Sequence, residues 1–136
     1  MLIRACRSKI HRATVTRADL DYVGSITIDR ALIEAADLQP YQYVNITNVS
    51  NGTFWQTYVI AAPRGSGRIE LNGPPARHFQ AGDKIIVLGE AWLDPSELPS
   101  LDPKIVIVDS DDNRRFHLLE HSKVRNTPRR ASRGRR

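Results

Sequence analysis

A single cysteine, Cys6, in 136 residues leaves no partner for an internal disulfide. No apolar run approaches the roughly 20 residues that a membrane-spanning helix needs, and no charged-then-apolar leader follows Met1. These absences predict a soluble cytoplasmic protein without membrane contact. A glycine-rich phosphate loop is also missing, which argues against nucleotide chemistry. What remains is enough chain for one domain with a real core, smaller than most cofactor-binding α/β enzymes, so oligomerisation is expected to complete its sites.

The formal charge of +5 belongs to one end of the chain. Lys123, Arg125, Arg129, Arg130, Arg133, Arg135 and Arg136 supply seven positive charges, so residues 1–122 carry −2. The sequence therefore predicts one domain over residues 1–122 and a basic, disordered tail over residues 123–136 without apolar periodicity. Such a tail binds polyanions weakly and releases them in salt. It is read as a solvated extension rather than a nucleic-acid surface; a non-catalytic barrel with a nucleic-acid-binding tail is the rival from another functional class.

Short apolar runs separated by turn residues predict strands over residues 9–16, 26–28, 43–49, 54–62, 68–71, 84–88 and 104–108. One helix is expected over residues 30–36, capped by Asp29 and stopped by Pro40. One helical turn at most is expected between Ala91 and Leu101. Residues 37–46 faintly echo residues 79–87, each a polar turn entering a buried strand. Two such halves can interlock into a small closed β-barrel that leaves no bare sheet edge.

The most informative dipeptide is Gly24-Ser25. A serine hydroxyl can attack the preceding carbonyl, convert the peptide to an ester and break the chain by elimination, leaving a pyruvoyl group. Glycine suits the position before the nucleophile because its backbone accepts strained conformations. Gly65-Ser66 is a second copy, so context must carry the reading. That context is Ser8-Lys9-Ile10-His11-Arg12-Ala13-Thr14-Val15-Thr16, then Ala18-Asp19-Leu20, Tyr22-Val23-Gly24-Ser25, Asn51-Gly52, Thr57-Tyr58-Val59-Ile60-Ala61-Ala62 and Asn72-Gly73. From Met1 to about Asp109 the chain resembles the pyruvoyl-dependent aspartate 1-decarboxylases.

The resemblance implies a mainly β fold, a six-stranded double-psi barrel with short helices. It implies self-cleavage between Gly24 and Ser25 into residues 1–24 and 25–136, with Ser25 becoming the pyruvoyl group that forms a Schiff base with substrate. Neither pyridoxal phosphate nor a metal is then needed. By the same resemblance Thr57 assists cleavage near the Gly24 carbonyl, and Tyr58 returns a proton to the α-carbon. Lys9, His11, Thr57, Asn72, Gly73 and the backbone at Pro74 and Pro75 are the implied substrate-binding residues. The implied reaction takes L-aspartate to β-alanine and carbon dioxide for pantothenate synthesis. The implied assembly is a homotetramer in which Lys9 and His11 serve a neighbour's Ser25, and a maturation factor is a further candidate partner.

Two departures bear on substrate choice. Phe54 stands where the family carries a substrate-binding arginine, and Pro74-Pro75 stands where it carries two alanines with backbone N–H groups. The same chemistry on a less acidic amino acid in secondary metabolism is therefore the alternative, with Phe54 and Trp55 as an apolar wall. Arg12, Arg64 and Arg77 are candidate replacements for the missing cation. The stretch from Asp109 to Asn113 with Glu120 approximates a calcium loop, but Arg114 replaces its essential glycine. His117 and His121 share a possible helical face without a third ligand, so no metal site is predicted.

Overall fold

A computed structural model describes residues 1–120. The tail predicted over residues 123–136 and the pairing of His117 with His121 lie outside the described residues, as does the domain limit at residue 122. Within them the chain order is β1 (Ile3–Thr14), β2 (Arg17–Asp19), β3 (Ser25–Asp29), α1 (Arg30–Ala35), β4 (Tyr43–Asn48), β5 (Phe54–Ala62), β6 (Ile69–Asn72), β7 (Lys84–Leu93), β8 (Lys104–Val108) and β9 (Phe116–Leu118). The mainly β expectation holds, with nine strands and few short helices among the described residues. All nine join in one sheet, in the order β2-β6-β3-β5-β4-β7-β1-β8-β9.

Three pairings in this sheet are parallel, β1 with β8, β2 with β6 and β3 with β5, and the others are antiparallel. The echo between residues 37–46 and 79–87 acquires a physical meaning here. Its two strands, β4 and β7, are direct neighbours, with Ile46 opposite Val87.

The sheet curls until the loop after β8 touches the turn that enters β6. Buried Asn113 does the stitching: Thr14 N–H donates to its Oδ1 at 2.7 Å, and its Nδ2 donates to the carbonyls of Thr14 at 2.8 Å and Gly67 at 2.9 Å. Gly67 has a φ of +69°, and a methyl group there would lie 2.3 Å from the Asp112 carbonyl oxygen. Only glycine permits that approach.

Inside the curl, Ile10, Ile26, Ile28, Ile46, Ile69 and Val87 are fully buried in one cluster that spans both halves of the sheet. Each such side chain contributes about 1.5–3 kcal/mol relative to exposure. Alternation along β1 turns Ser8 and Ile10 inward and Lys9 and His11 outward. Two register shifts interrupt β1, between Cys6 and Ser8 and between His11 and Ala13; Arg12 in the second has a φ of 66°.

Asp29 caps α1 as predicted, its Oδ1 accepting from Ala31 N–H at 2.8 Å. The helix ends earlier than Pro40 would dictate. Asp37 has a φ of 58°, and Leu38 N–H donates to Ile33 O at 2.9 Å, which closes the helix with a left-handed residue before the proline is reached. Between Ala91 and Leu101 the expected turn is a 3-10 segment, Pro95–Ser100, started by reciprocal hydrogen bonds between Asp94 and Glu97.

Candidate active site

Ser25 opens β3 and is fully buried, while Tyr22 and Val23 just before it are exposed. The antiparallel register of β3 and β6 sets Ser25 opposite Asn72. Asn72 Nδ2 donates to Ser25 Oγ at 3.0 Å and to Thr27 Oγ1 at 2.9 Å. Ser25 Oγ in turn donates to Val23 O at 3.4 Å, so the hydroxyl is oriented from both sides. Thr27 is a site residue that the sequence reading missed. Its position two residues after Ser25, on the same strand face, was the available signal.

After Asn72 the chain turns sharply but makes no hairpin, contrary to what the Asn-Gly pair alone suggests. Gly73, with a φ of 80° and ψ of −145°, leads into the 3-10 turn Pro74–Arg77. Two consecutive prolines favour this turn because each fixes φ near −65° and neither offers an N–H to a ladder. Pro74 comes to the Gly24-Ser25 peptide: its Cδ lies 3.7 Å from where a Cβ on Gly24 would be. The nearby backbone donors are all engaged or absent. Gly73 N–H donates to Asp19 O at 2.8 Å, Ala76 N–H to Gly73 O at 2.9 Å, and Pro74 and Pro75 have none.

The parallel register of β3 and β5 pairs Ile26 with Val59. Extended by one residue, it sets Ser25 beside Tyr58 and Gly24 near Thr57, and alternation gives Ser25 and Tyr58 the same face. Tyr58 is half-buried, its ring 6.2 Å from that of Tyr41 and 6.3 Å from that of Tyr43. Thr57 is buried and turns to the opposite face. Its hydroxyl makes no hydrogen bond among the described residues, so the expected bond near the Gly24 carbonyl is not seen.

Lys9 and His11 stand elsewhere in the chain. Three strands, β5, β4 and β7, separate β1 from β3 in the sheet order, so four spacings of about 4.8 Å lie between them along the curved sheet. Cross-strand pairing arranges this outer face in rows. One runs Gln56, Asn45, Leu88, Lys9 and the next Phe54, Thr47, Ile86, His11. His11 Nδ1 is buried without a hydrogen-bond partner. Burial of the ring, reinforced by the nearby charges of Lys9 and Arg12, holds its pKa below the usual 6.5.

Phe54 is 61% exposed at the end of its row. The apolar wall expected from Phe54 and Trp55 does not form. Neighbouring residues of a strand face opposite ways, and Trp55 packs towards the core with its ring 6.3 Å from His78. Of the replacement cations, Arg64 is paired with Glu34, Arg12 lies in the bulge beside His11, and exposed Arg77 ends the 3-10 turn. In the calcium-like stretch, Asp109 is engaged by His117 Nδ1 at 2.7 Å and Asp111 by Lys84 at 2.6 Å. No helix among the described residues is long and apolar enough to cross a membrane.

Residues 1–115 match the family described as aspartate decarboxylase. The chain is similar to an aspartate 1-decarboxylase of Lactiplantibacillus plantarum, 50% identical over 123 residues that cover 90% of this chain and 94% of that one. It is also similar to one from Clostridium acetobutylicum, 50% identical with coverage of 90% and 96%. A third relative, an aspartate 1-decarboxylase of Dehalococcoides mccartyi, is 52% identical over 104 residues, 76% of this chain and 84% of its own. Similarity that spans β1 through the loop after β8, including both segments that meet at Ser25, assigns the chain to the aspartate decarboxylase family.

Proposed function

We propose that this protein is a pyruvoyl-dependent amino-acid α-decarboxylase, matured by self-cleavage at Gly24-Ser25, that converts L-aspartate to β-alanine and carbon dioxide for pantothenate synthesis in the cytoplasm. The observation that carries this reading is the buried Ser25 hydroxyl, held by Asn72 beside a glycine peptide. Ser25 Oγ adds to the Gly24 carbonyl carbon, the C–N bond breaks as the C–O ester forms, and the amine takes the proton. Elimination then releases the Gly24 carboxylate, and water displaces ammonia to leave a ketone at position 25.

A pyruvoyl group there supplies a carbonyl that takes the substrate amine and accepts the electrons released with carbon dioxide. The donor set fits it, since departure of Ser25 Oγ with the Gly24 carboxylate frees the Asn72 amide N–H beside residue 25. Tyr58, on the same face, holds the phenol proton for the substrate α-carbon. Lys9 and His11 bind substrate from a neighbouring protomer of a homotetramer. Their outward placement and the unpartnered His11 Nδ1 support that arrangement. Denaturing mass analysis tests the whole reading: two fragments divided after Gly24 are expected, with borohydride and aspartate trapping an adduct on residue 25. A fully intact chain that also fails to mature with a cell extract refutes it; maturation only with extract identifies a maturation factor.

A second reading keeps the chemistry and changes the substrate to a less acidic amino acid. It is favoured by Phe54, an uncharged side chain at the exposed end of its row, and by the segment from Gly73 to Ala76, which offers no free backbone N–H. Steady-state rates with aspartate and a panel of neutral amino acids separate the two.

A further inference from the structure

The strands on either side of the scissile bond do not pair with each other. β2 runs parallel to β6 along one edge, and β3 runs antiparallel to β6 along the other. Residues 20–24, which connect them, must therefore cross the end of β6 just where Asn72 gives way to Gly73. Three hydrogen bonds gather this crossing on Asp19. Its carbonyl accepts from Gly73 N–H at 2.8 Å and from Tyr22 N–H at 3.4 Å, and its Oδ1 accepts from Asp21 N–H at 3.1 Å. Arg17 pairs with the other carboxylate oxygen at 3.0 Å.

Gly73 forms the floor under the crossing. A methyl group on it would lie 2.8 Å from Gly24 Cα, 3.0 Å from Gly24 N and 3.2 Å from Tyr22 O. These are backbone atoms of the segment to be cut, so no side chain can swing aside to make room. The floor thus fixes how close the peptide of Gly24 comes to the Ser25 hydroxyl, which Asn72 anchors independently.

We propose that Asp19 and Gly73 form a strap that sets the Gly24-Ser25 peptide in its cleavage geometry, both acting as positioning residues; this rests on the self-cleavage reading above. The covalent step is the one already written, with Ser25 Oγ bonding to the Gly24 carbonyl carbon, the C–N bond opening and the hydroxyl proton passing to the departing amine. Asp19 and Gly73 take no part in bond making. Their effect is to hold donor and acceptor at approach distance, where a displacement of about 1 Å costs on the order of 100-fold in rate.

The test follows cleavage of the full chain by denaturing mass analysis, with thermal unfolding run in parallel. Gly73→Ala is expected to slow cleavage on the order of 100-fold. Gly82→Ala is the control, because Gly82 also has a positive φ, +94°, yet has nothing within 4 Å of the added methyl group; it should cleave at the parent rate. Asp19→Ala should slow cleavage and Asp19→Asn should restore it, since asparagine keeps the acceptor for Asp21 N–H. That rescue is decisive even if Gly73→Ala fails to fold. Parent-rate cleavage in Gly73→Ala or Asp19→Ala, or equal slowing in Gly82→Ala, overturns the strap while leaving self-cleavage standing. A parent chain that never divides overturns both.

Discussion

Replacing Asp29 by alanine in a Ser25→Ala background, which excludes the self-cleavage proposed above, should cost about 4 kcal/mol of stability. Asp29 ends the strand that Ser25 begins and is 1% exposed. Its carboxylate accepts three backbone N–H bonds, from Ala31 at 2.8 Å, Gly65 at 3.0 Å and Gly67 at 2.8 Å. Loss of a helix cap costs about 1 kcal/mol, and each further N–H stripped of a charged partner costs about 1.5 kcal/mol. Asparagine keeps an oxygen for Ala31 and Gly65 and loses only the Gly67 bond, so Asp29→Asn should cost about 1–2 kcal/mol. Urea midpoints at matched protein concentration measure both. With a slope of about 1.5–2 kcal/mol per molar, alanine should lower the midpoint by about 2–3 M. An alanine variant within about 0.5 kcal/mol of its parent, the scatter of ordinary surface substitutions, refutes the assignment of Asp29 as the pin of β3.

Tyr58→Phe should mature normally and lose about 10²–10⁴-fold in kcat, the usual contribution of a positioned proton donor; unchanged turnover removes the phenol from the mechanism. Phe54→Arg should raise kcat/KM for aspartate by tens to thousands of times, since a desolvated ion pair is worth on the order of 2–5 kcal/mol. No gain would mean that residue 54 does not meet the substrate side chain. His11 should titrate below 6.5 by NMR, because burial, Lys9 and Arg12 all oppose its charge. The unfolded chain then takes the proton first, so the stability owed to neutral His11 is complete above 6.5 and falls as pH drops from there towards its folded value. Arg12→Gln should raise the midpoint, and a midpoint at or above 6.5 contradicts the geometry.

β3 and β8 were legible for different reasons: in β3 two isoleucines alternate with polar residues, whereas β8 carries an unbroken apolar run from Ile105 to Val108. The three-residue strands β2 and β9 escaped notice, since each pairs along one edge only and has too few residues to display a period. β1 begins at Ile3 rather than residue 9, and its first residues alternate between half-buried and exposed, which composition does not separate from a loop. At the site, Ser25, Asn72 and Gly73 lie together. What one sequence conceals is contact between distant backbone segments, such as Gly73 against Gly24. The separation of Phe54 from Trp55 was available from strand alternation alone.

β1 lies between β7 and β8, with Ile10 in the interior, and β2 lies along β6. The division after Gly24 proposed above would therefore leave residues 1–24 embedded as a non-covalent graft. Refolding of a cleaved protein would become a bimolecular encounter between two peptides, and dilution alone would then lower its melting temperature while leaving that of the uncut precursor's fold less affected.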